Sequence, residues 1–354
     1  MRPRVLFVSL ATTSFVRDDL ALLRERYGVT AFTFGTTDSA RGLLAGWRRQ
    51  RAWLKREGDR ADLVVGWFAD FHLALPALWA SRRGVPLAVM LGGFDAACLP
   101  GLGYGVFCSR WRAPLARTVL RRASRLLPVA EALLESTNAW ASEEGSRQGV
   151  RVHVPRLATP ARVLPTGYDA DAWPMGRADR GATVCAVAHL ADWPTFYIKG
   201  GDLLLEVARQ MPEARFEIVG VAPRFGDALL NHEHVPGNVR LVPPVERETL
   251  AEVYARSSVV AQLSRTEGLP DVLCEAMLCG CVPAVSAVGA MEEVAGGLGA
   301  VAETPEEATE AVRLALAVAP EQRHAARERI ATHYSRERRR RDLFAHLDAL
   351  IEAQ

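Results

Sequence analysis

Lysine is nearly missing from this chain. Of 43 basic residues only Lys55 and Lys199 are lysines. Arginine is the default cation here, so a retained lysine has either a reason or an accident behind it. The reason on offer is chemical: a compact ammonium on a flexible stem fits a tight phosphate pocket that a planar guanidinium fork does not. Long hydrophobic runs are missing too. No 18 consecutive apolar residues occur, which excludes a membrane-spanning helix. No secretory signal precedes the first strand pattern, because MRPRVLFVSL runs straight into it. The six cysteines are therefore expected to be reduced thiols of a cytoplasmic protein. Cys279-Gly-Cys281 has the spacing of a metal clip, yet no second pair stands at zinc spacing, so buried structural thiols are expected. The eight histidines show no metal spacing either.

What is present is ordinary globular material. At 49% hydrophobic and 24% charged, the composition excludes disorder, collagen and coiled coil, and 354 residues suggest about two domains. Net charge is only +2, but it is unevenly spread. Residues 1–170 hold 24 Lys and Arg against 14 Asp and Glu, whereas the rest of the chain is net acidic. Two readings follow with equal weight. The basic half meets something anionic, such as a phosphorylated acceptor or a membrane surface, or the two halves attract each other across an interface.

Short apolar runs alternate with helical patterns along the whole chain. VLFVSL (5–10), VTAFTF (29–34), DLVVGW (62–67), PLAVML (86–91) and RLLPV (125–129) read as strands. Helical patterns at 17–26, 71–83 and near 130–145 separate or follow them. The pattern pauses in PTGYDADAWPMGRADRG, where proline, glycine and aspartate crowd together. A second series then runs from TVCAVAHL (183–190) to VPAVSA (282–287), and the tail 305–352 reads as helical. Such alternation predicts two doubly wound parallel α/β lobes. The expected boundaries are 1–165, 166–335 and a final helix, 336–354, that crosses back to the first lobe. Open sheets of this kind bind ligands at the carboxyl ends of their strands, so two facing lobes form a cleft.

The most informative segment is Ser264-Arg265-Thr266-Glu267-Gly268-Leu269-Pro270-Asp271-Val272-Leu273-Cys274-Glu275. A strand ends at Ser264, a loop carries Glu267 and Gly268, and a helix opens near Pro270, where proline is tolerated. The unpaired amides of 269–272 and the helix dipole make a seat for a phosphate. Glu275 lies one turn further on. Two carboxylates flanking a phosphate seat can each accept hydrogen bonds from vicinal sugar hydroxyls. The plain alternative is a helix N-terminal charge beside a surface glutamate.

This segment resembles the E-x7-E motif of glycosyltransferase family 4, on the GT-B fold. The stretches Tyr197-Ile198-Lys199-Gly200-Gly201-Asp202, ARFEIVG and NVRLV match the family's donor lobe in order, over about residues 183–300. The first lobe matches more weakly, through Leu91-Gly92-Gly93-Phe94-Asp95 and Pro165-Thr166-Gly167-Tyr168-Asp169. The resemblance implies a retaining, metal-independent glycosyltransferase that moves a sugar from a nucleotide diphosphate to an acceptor hydroxyl. It implies no cofactor beyond a donor of UDP or GDP type. The implied roles are Glu275 on the ribose hydroxyls, Glu267 beside the donor sugar, and Lys199 on the leaving diphosphate. Gly93, Gly268, Leu269 and Pro270 supply close backbone around the donor, and Asp95 orients the acceptor hydroxyl or the sugar.

The sequence departs from the family at several points. Pro194 holds the place of a common arginine, residues 191–198 look inserted, and His189 stands nearest the missing cation. Gly92 replaces a frequent histidine, and Asp271 stands where asparagine is common. Asp169-Ala170-Asp171 spells a metal-binding pattern of another fold, but in a connection, so no metal is expected there. Trp47, Arg48, Arg49, Arg51, Trp53, Lys55 and Arg56 form a basic aromatic segment, and Arg110, Arg112, Arg117, Arg121, Arg122 and Arg125 form a second basic cluster. Each reads as an ordinary lobe helix or as a peripheral contact with a phosphorylated acceptor or with anionic lipid at the inner face of the membrane. The acceptor is expected to be a carbohydrate, a lipid-linked sugar or a small molecule, with no nucleic-acid partner. Two alternatives remain: a sugar-nucleotide epimerase on the same architecture, and a non-catalytic sugar-nucleotide binder.

Overall fold

The computed structural model describes residues 2–37, 39–141 and 145–353. The first lobe is a parallel sheet of β1 (Arg4–Ser9), β2 (Gly28–Thr33), β3 (Leu63–Trp67), β4 (Leu87–Leu91) and β5 (Arg125–Pro128), in the order β2-β1-β3-β4-β5. Its helices are α1 (Ser14–Arg26), α2 (Ala40–Glu57), α3 (Phe71–Arg83), α4 (Arg112–Arg122) and the short α5 (Val150–His153). β3 and β4 are buried at every position, so their apolar runs do not alternate. Right-handed crossovers place α2, α3 and α4 together on one face, where α3 packs against both neighbours.

The second lobe orders β10-β9-β8-β11-β12-β13, all parallel. Its strands are β8 (Thr183–Leu190), β9 (Arg215–Val221), β10 (Val239–Val242), β11 (Val259–Gln262), β12 (Val282–Ser286) and β13 (Ala300–Ala302). Its helices are α6 (Trp193–Ile198), α7 (Gly201–Gln210), α8 (Pro223–His232), α9 (Arg247–Arg256), α10 (Asp271–Leu278), α11 (Met291–Ala295), α12 (Ala308–Leu316) and α13 (Glu321–His333). A last helix, α14 (Arg336–Glu352), packs back on the first lobe against α1 and β3.

The chain passes between lobes twice, and the two passages hydrogen-bond to each other. The Tyr168 amide donates to the Tyr334 carbonyl at 2.8 Å, and the Arg336 amide donates to the Tyr168 carbonyl at 2.9 Å. Beyond this point, buried Arg339 grips buried Asp19 through two bonds of 2.6 Å. Trp67 Nε1 donates to the same carboxylate at 2.8 Å. A charge pair taken out of water needs such additional bonds to hold both ions.

One expectation needs correction, and two others gain detail. The helix expected near 130–145 is a 3-10 turn at Glu131–Leu133 followed by an antiparallel hairpin, β6 (Ser136–Asn138) and β7 (Ser146–Gln148); residues 142–144 lie outside the described residues. Asn138 explains the change, because its side-chain oxygen accepts from the Trp140 and Ala141 amides and offers the backbone a turn in place of a helix. The seemingly inserted stretch 191–198 is largely α6, capped by Asp192, whose carboxylate accepts from the Thr195 amide at 2.8 Å. The helical tail is not continuous, since Pro320 and Ser335 start new helices at α13 and α14. Asp169 and Asp171 are exposed, and Asp169 caps a 3-10 turn through the Asp171 amide.

Candidate active site

The site is built from strand ends that face one another across the cleft. Lys199 ends α6 and is followed by Gly200 at φ +68°. A Cβ on Gly200 would lie 1.9 Å from the Leu263 carbonyl oxygen, so only glycine lets the Lys199 turn seat against the end of β11. Arg265 ties the two segments together. Its guanidinium binds both oxygens of Asp202 at 2.7 Å, and its amide donates to the Ile198 carbonyl at 2.8 Å. Held in this way, Lys199 Nζ lies 2.6 Å from Glu267 Oε1. Gln262 Nε2 and Ser264 Oγ donate to the same oxygen at 3.0 and 2.8 Å.

Across the cleft, Gly92 and Gly93 leave β4 and meet the Glu267–Gly268 backbone. A Cβ on Gly93, whose φ is +129°, would lie 3.3 Å from the Gly268 amide nitrogen. One on Gly268 would lie 2.2 Å from the Gly92 carbonyl oxygen. Both glycines are thus required for the lobes to touch. Asp95 has no access to a substrate in this geometry, which corrects its expected catalytic role. It is fully buried, and its carboxylate accepts from the amides of Ala69, Gly92 and Gly93 at 2.9, 3.0 and 3.1 Å. Burial pushes its pKa up to about 6, against those same bonds. Asp95 positions the glycine loop.

Glu275 sits one turn into α10, whose N-cap is Pro270. It lines a cavity of about 380 Å³ between the lobes, with Val245, Arg247, Asp271, Tyr168 and, from α1, Arg17. Burial, and then the charge of Asp271, raise the Glu275 pKa to about 8, while Arg247 opposes the shift. Burial also raises Asp271, which is held by Tyr168: the phenol donates to Asp271 Oδ1 at 2.6 Å and pairs with Thr166 Oγ1 at 2.7 Å. Arg247 lies over the Trp173 ring at 4.7 Å.

The residues singled out from sequence therefore fall into groups. Lys199 and Glu267 are in direct contact, with Gly93 and Gly268 closing on them. Glu275 and Asp271 line the larger cavity, whereas Glu267 and Gly93 line a smaller one of about 30 Å³. The two carboxylates do not share one chamber, because the lobes meet through backbone at Gly93 and Gly268. Leu269 is half-buried and Pro270 buried in the loop that joins them. His189 is exposed at the end of β8 beside Asp192, and neither it nor Lys199 lines either cavity. Sequence reasoning missed Tyr168 as a partner of Asp271, although it stood in a quoted motif. It also missed Arg247 and Asn138, whose amide donates across the lobes to the Arg265 carbonyl at 2.8 Å. No group of three His, Cys, Asp or Glu side chains fit for a metal ion occurs among the described residues.

Residues 194–333 match the family model described as Glycosyl transferases group 1. A D-inositol 3-phosphate glycosyltransferase of Xylanimonas cellulosilytica is 30% identical over 263 residues, which is 68% of this chain and 60% of that protein. This chain thus spans less than two thirds of the length of that relative. Sucrose-phosphate synthase from Thermosynechococcus elongatus superposes at a TM-score of 0.74 with 15% identity, over 100% of both chains. Anabaena HepE in complex with UDP does so at 0.70 and 15%, over 98% of this chain and 100% of that one. The chain has the GT-B fold.

Proposed function

We propose that this protein is a retaining glycosyltransferase of family 4 that transfers a sugar from a nucleotide-diphosphate donor to an acceptor hydroxyl. The observation that carries this reading is the Lys199–Glu267 pair, 2.6 Å apart where the two glycine loops meet. The matches to Glycosyl transferases group 1 and to a glycosyltransferase acting on D-inositol 3-phosphate support it. The UDP-bound neighbour favours a uridine donor. Glu275 takes the ribose hydroxyls, and the α10 N-terminus with Lys199 takes the diphosphate. The bond between the anomeric carbon and the phosphate oxygen breaks, that carbon bonds to the acceptor oxygen, and the acceptor proton passes to the departing phosphate. Lys199 then neutralises the leaving group, and Glu267, released from Lys199, holds the sugar or its developing positive charge. The reaction needs no metal, the protein is cytoplasmic, and the basic first lobe receives the acceptor.

The test is a thermal-shift screen with UDP-, GDP- and ADP-sugars, followed by donor hydrolysis in water. Stabilisation by one donor together with its slow hydrolysis supports the transferase. Stabilisation without any hydrolysis or transfer favours a binder, and product with altered sugar configuration but an intact diphosphate favours an epimerase.

A further inference from the structure

We propose that the outer rim of the first lobe, formed by α2 and the start of α4, docks on an anionic membrane surface and turns the cleft mouth toward it. α2 carries six cations and one acid, Glu57, in 18 residues. Arg41, Arg48, Arg51 and Lys55 recur at helical spacing on one face, all exposed. None of the four has an ion-pair or hydrogen-bond partner among the described residues, in a chain whose other arginines mostly find one. Leu44 stands on the same stripe and is 53% exposed.

The basic stripe continues into an aromatic one. Trp47 Nε1 donates to the Phe71 carbonyl at 3.3 Å, and the Phe71 ring lies 5.5 Å from Trp111. Trp111 is 51% exposed and follows exposed, unpartnered Arg110. Phe71 and Trp111 sit at the N-terminal ends of α3 and α4, at the strand-end edge of the sheet that also carries Gly93, and the cations of α2 run from Arg41 at that edge down the helix to Lys55. Cations with nothing to neutralise them suit anionic headgroups. The exposed leucine and tryptophan suit the headgroup–acyl boundary, which a polynucleotide backbone does not offer.

The proposal deepens the reading of the acceptor, because an acceptor presented at a bilayer reaches the cleft from this side. Vesicle binding is measured without donor or turnover, so its failure leaves the transfer reaction standing. The experiment is co-sedimentation of the full chain with phosphatidylglycerol-containing vesicles and with pure phosphatidylcholine vesicles. Binding is expected to the anionic vesicles alone and to vanish in 1 M salt. A near-surface cation strengthens such binding about fivefold, so losing two in Arg48→Glu/Arg51→Glu should weaken it at least ~25-fold. Arg48→Lys/Arg51→Lys should retain it, and Leu44→Ser/Trp111→Ser should weaken it at unchanged melting temperature. No binding, equal binding to neutral vesicles, or undiminished binding by the charge-reversed variant overturns the proposal. So does a DNA duplex that binds as tightly through the same arginines and ignores Trp111.

Discussion

Lys199 is held by a single carboxylate oxygen that three donors share. A lysine so engaged is pre-aimed, and a diphosphate that displaces Glu267 gains a cation without having to order it. Lys199→Ala should therefore cut kcat by ~10²-fold or more. Steady-state kinetics at saturating donor decide this, and an unchanged kcat in a folded variant removes Lys199 from the mechanism. Glu275 offers a pH test. Its pKa is raised to about 8, so the folded chain holds a proton that the unfolded chain releases near 4.5. Stability from this residue is then full below pH 4.5 and falls as pH climbs toward 8, a component that Glu275→Gln abolishes. Ribose hydroxyls that donate to the carboxylate favour its ionised form. UDP binding should thus release a proton and tighten as pH rises from 6 to 8 in the wild type. Calorimetry in buffers of different ionisation heat reads that proton, and equal release by the Gln variant would assign it elsewhere.

At the scale of elements, the loops are more consequential than the helices they join. Gly200→Ala places a Cβ against the Leu263 carbonyl and also forces φ +68° on alanine. Gly84→Ala meets the same kind of backbone, φ +70°, in open space. Denaturant unfolding should show a loss of ~1 kcal/mol for Gly84→Ala and several times that for Gly200→Ala, with turnover lost only in the latter. Equal losses would mean the Leu263 contact is relieved by backbone movement. Strands were legible in the sequence because buried parallel strands are continuous apolar runs, Glu267 and Glu275 stood out because their spacing is local, and Lys199, 68 positions from Glu267, stood out because lysine is so scarce. The 130–145 segment was not, since its fate turns on Asn138 bonding to its own backbone and to Arg265 in the other lobe. Asp95 was misassigned for a similar reason: nothing local reveals that the amides of Ala69, Gly92 and Gly93 converge on it. Tyr168 and Asp271 are 103 positions apart, and only the closed cleft brings them together.

At the scale of the molecule, the Arg339–Asp19 pair holds α14 to the first lobe from 320 residues away. Asp19→Ala leaves a buried guanidinium unpaired and should cost about 3–5 kcal/mol in urea unfolding, whereas replacing both partners by apolar residues should cost far less. Hydrogen exchange should show α14 opening first in the single variant; protection as in the wild type would place its anchorage elsewhere. The paired passages at Tyr168 and Ser335 carry a further consequence. Seen from the first lobe, everything between them is one long insertion whose two ends lie side by side. A hydrogen bond of 2.8 Å from Tyr168 to Tyr334 closes it like a clasp. The second lobe can thus be lifted out and another of its kind spliced in at two neighbouring cuts. If the second lobe holds the donor as proposed, exchange of donor specificity between relatives requires two junctions in one small region, and no rebuilding of the first lobe.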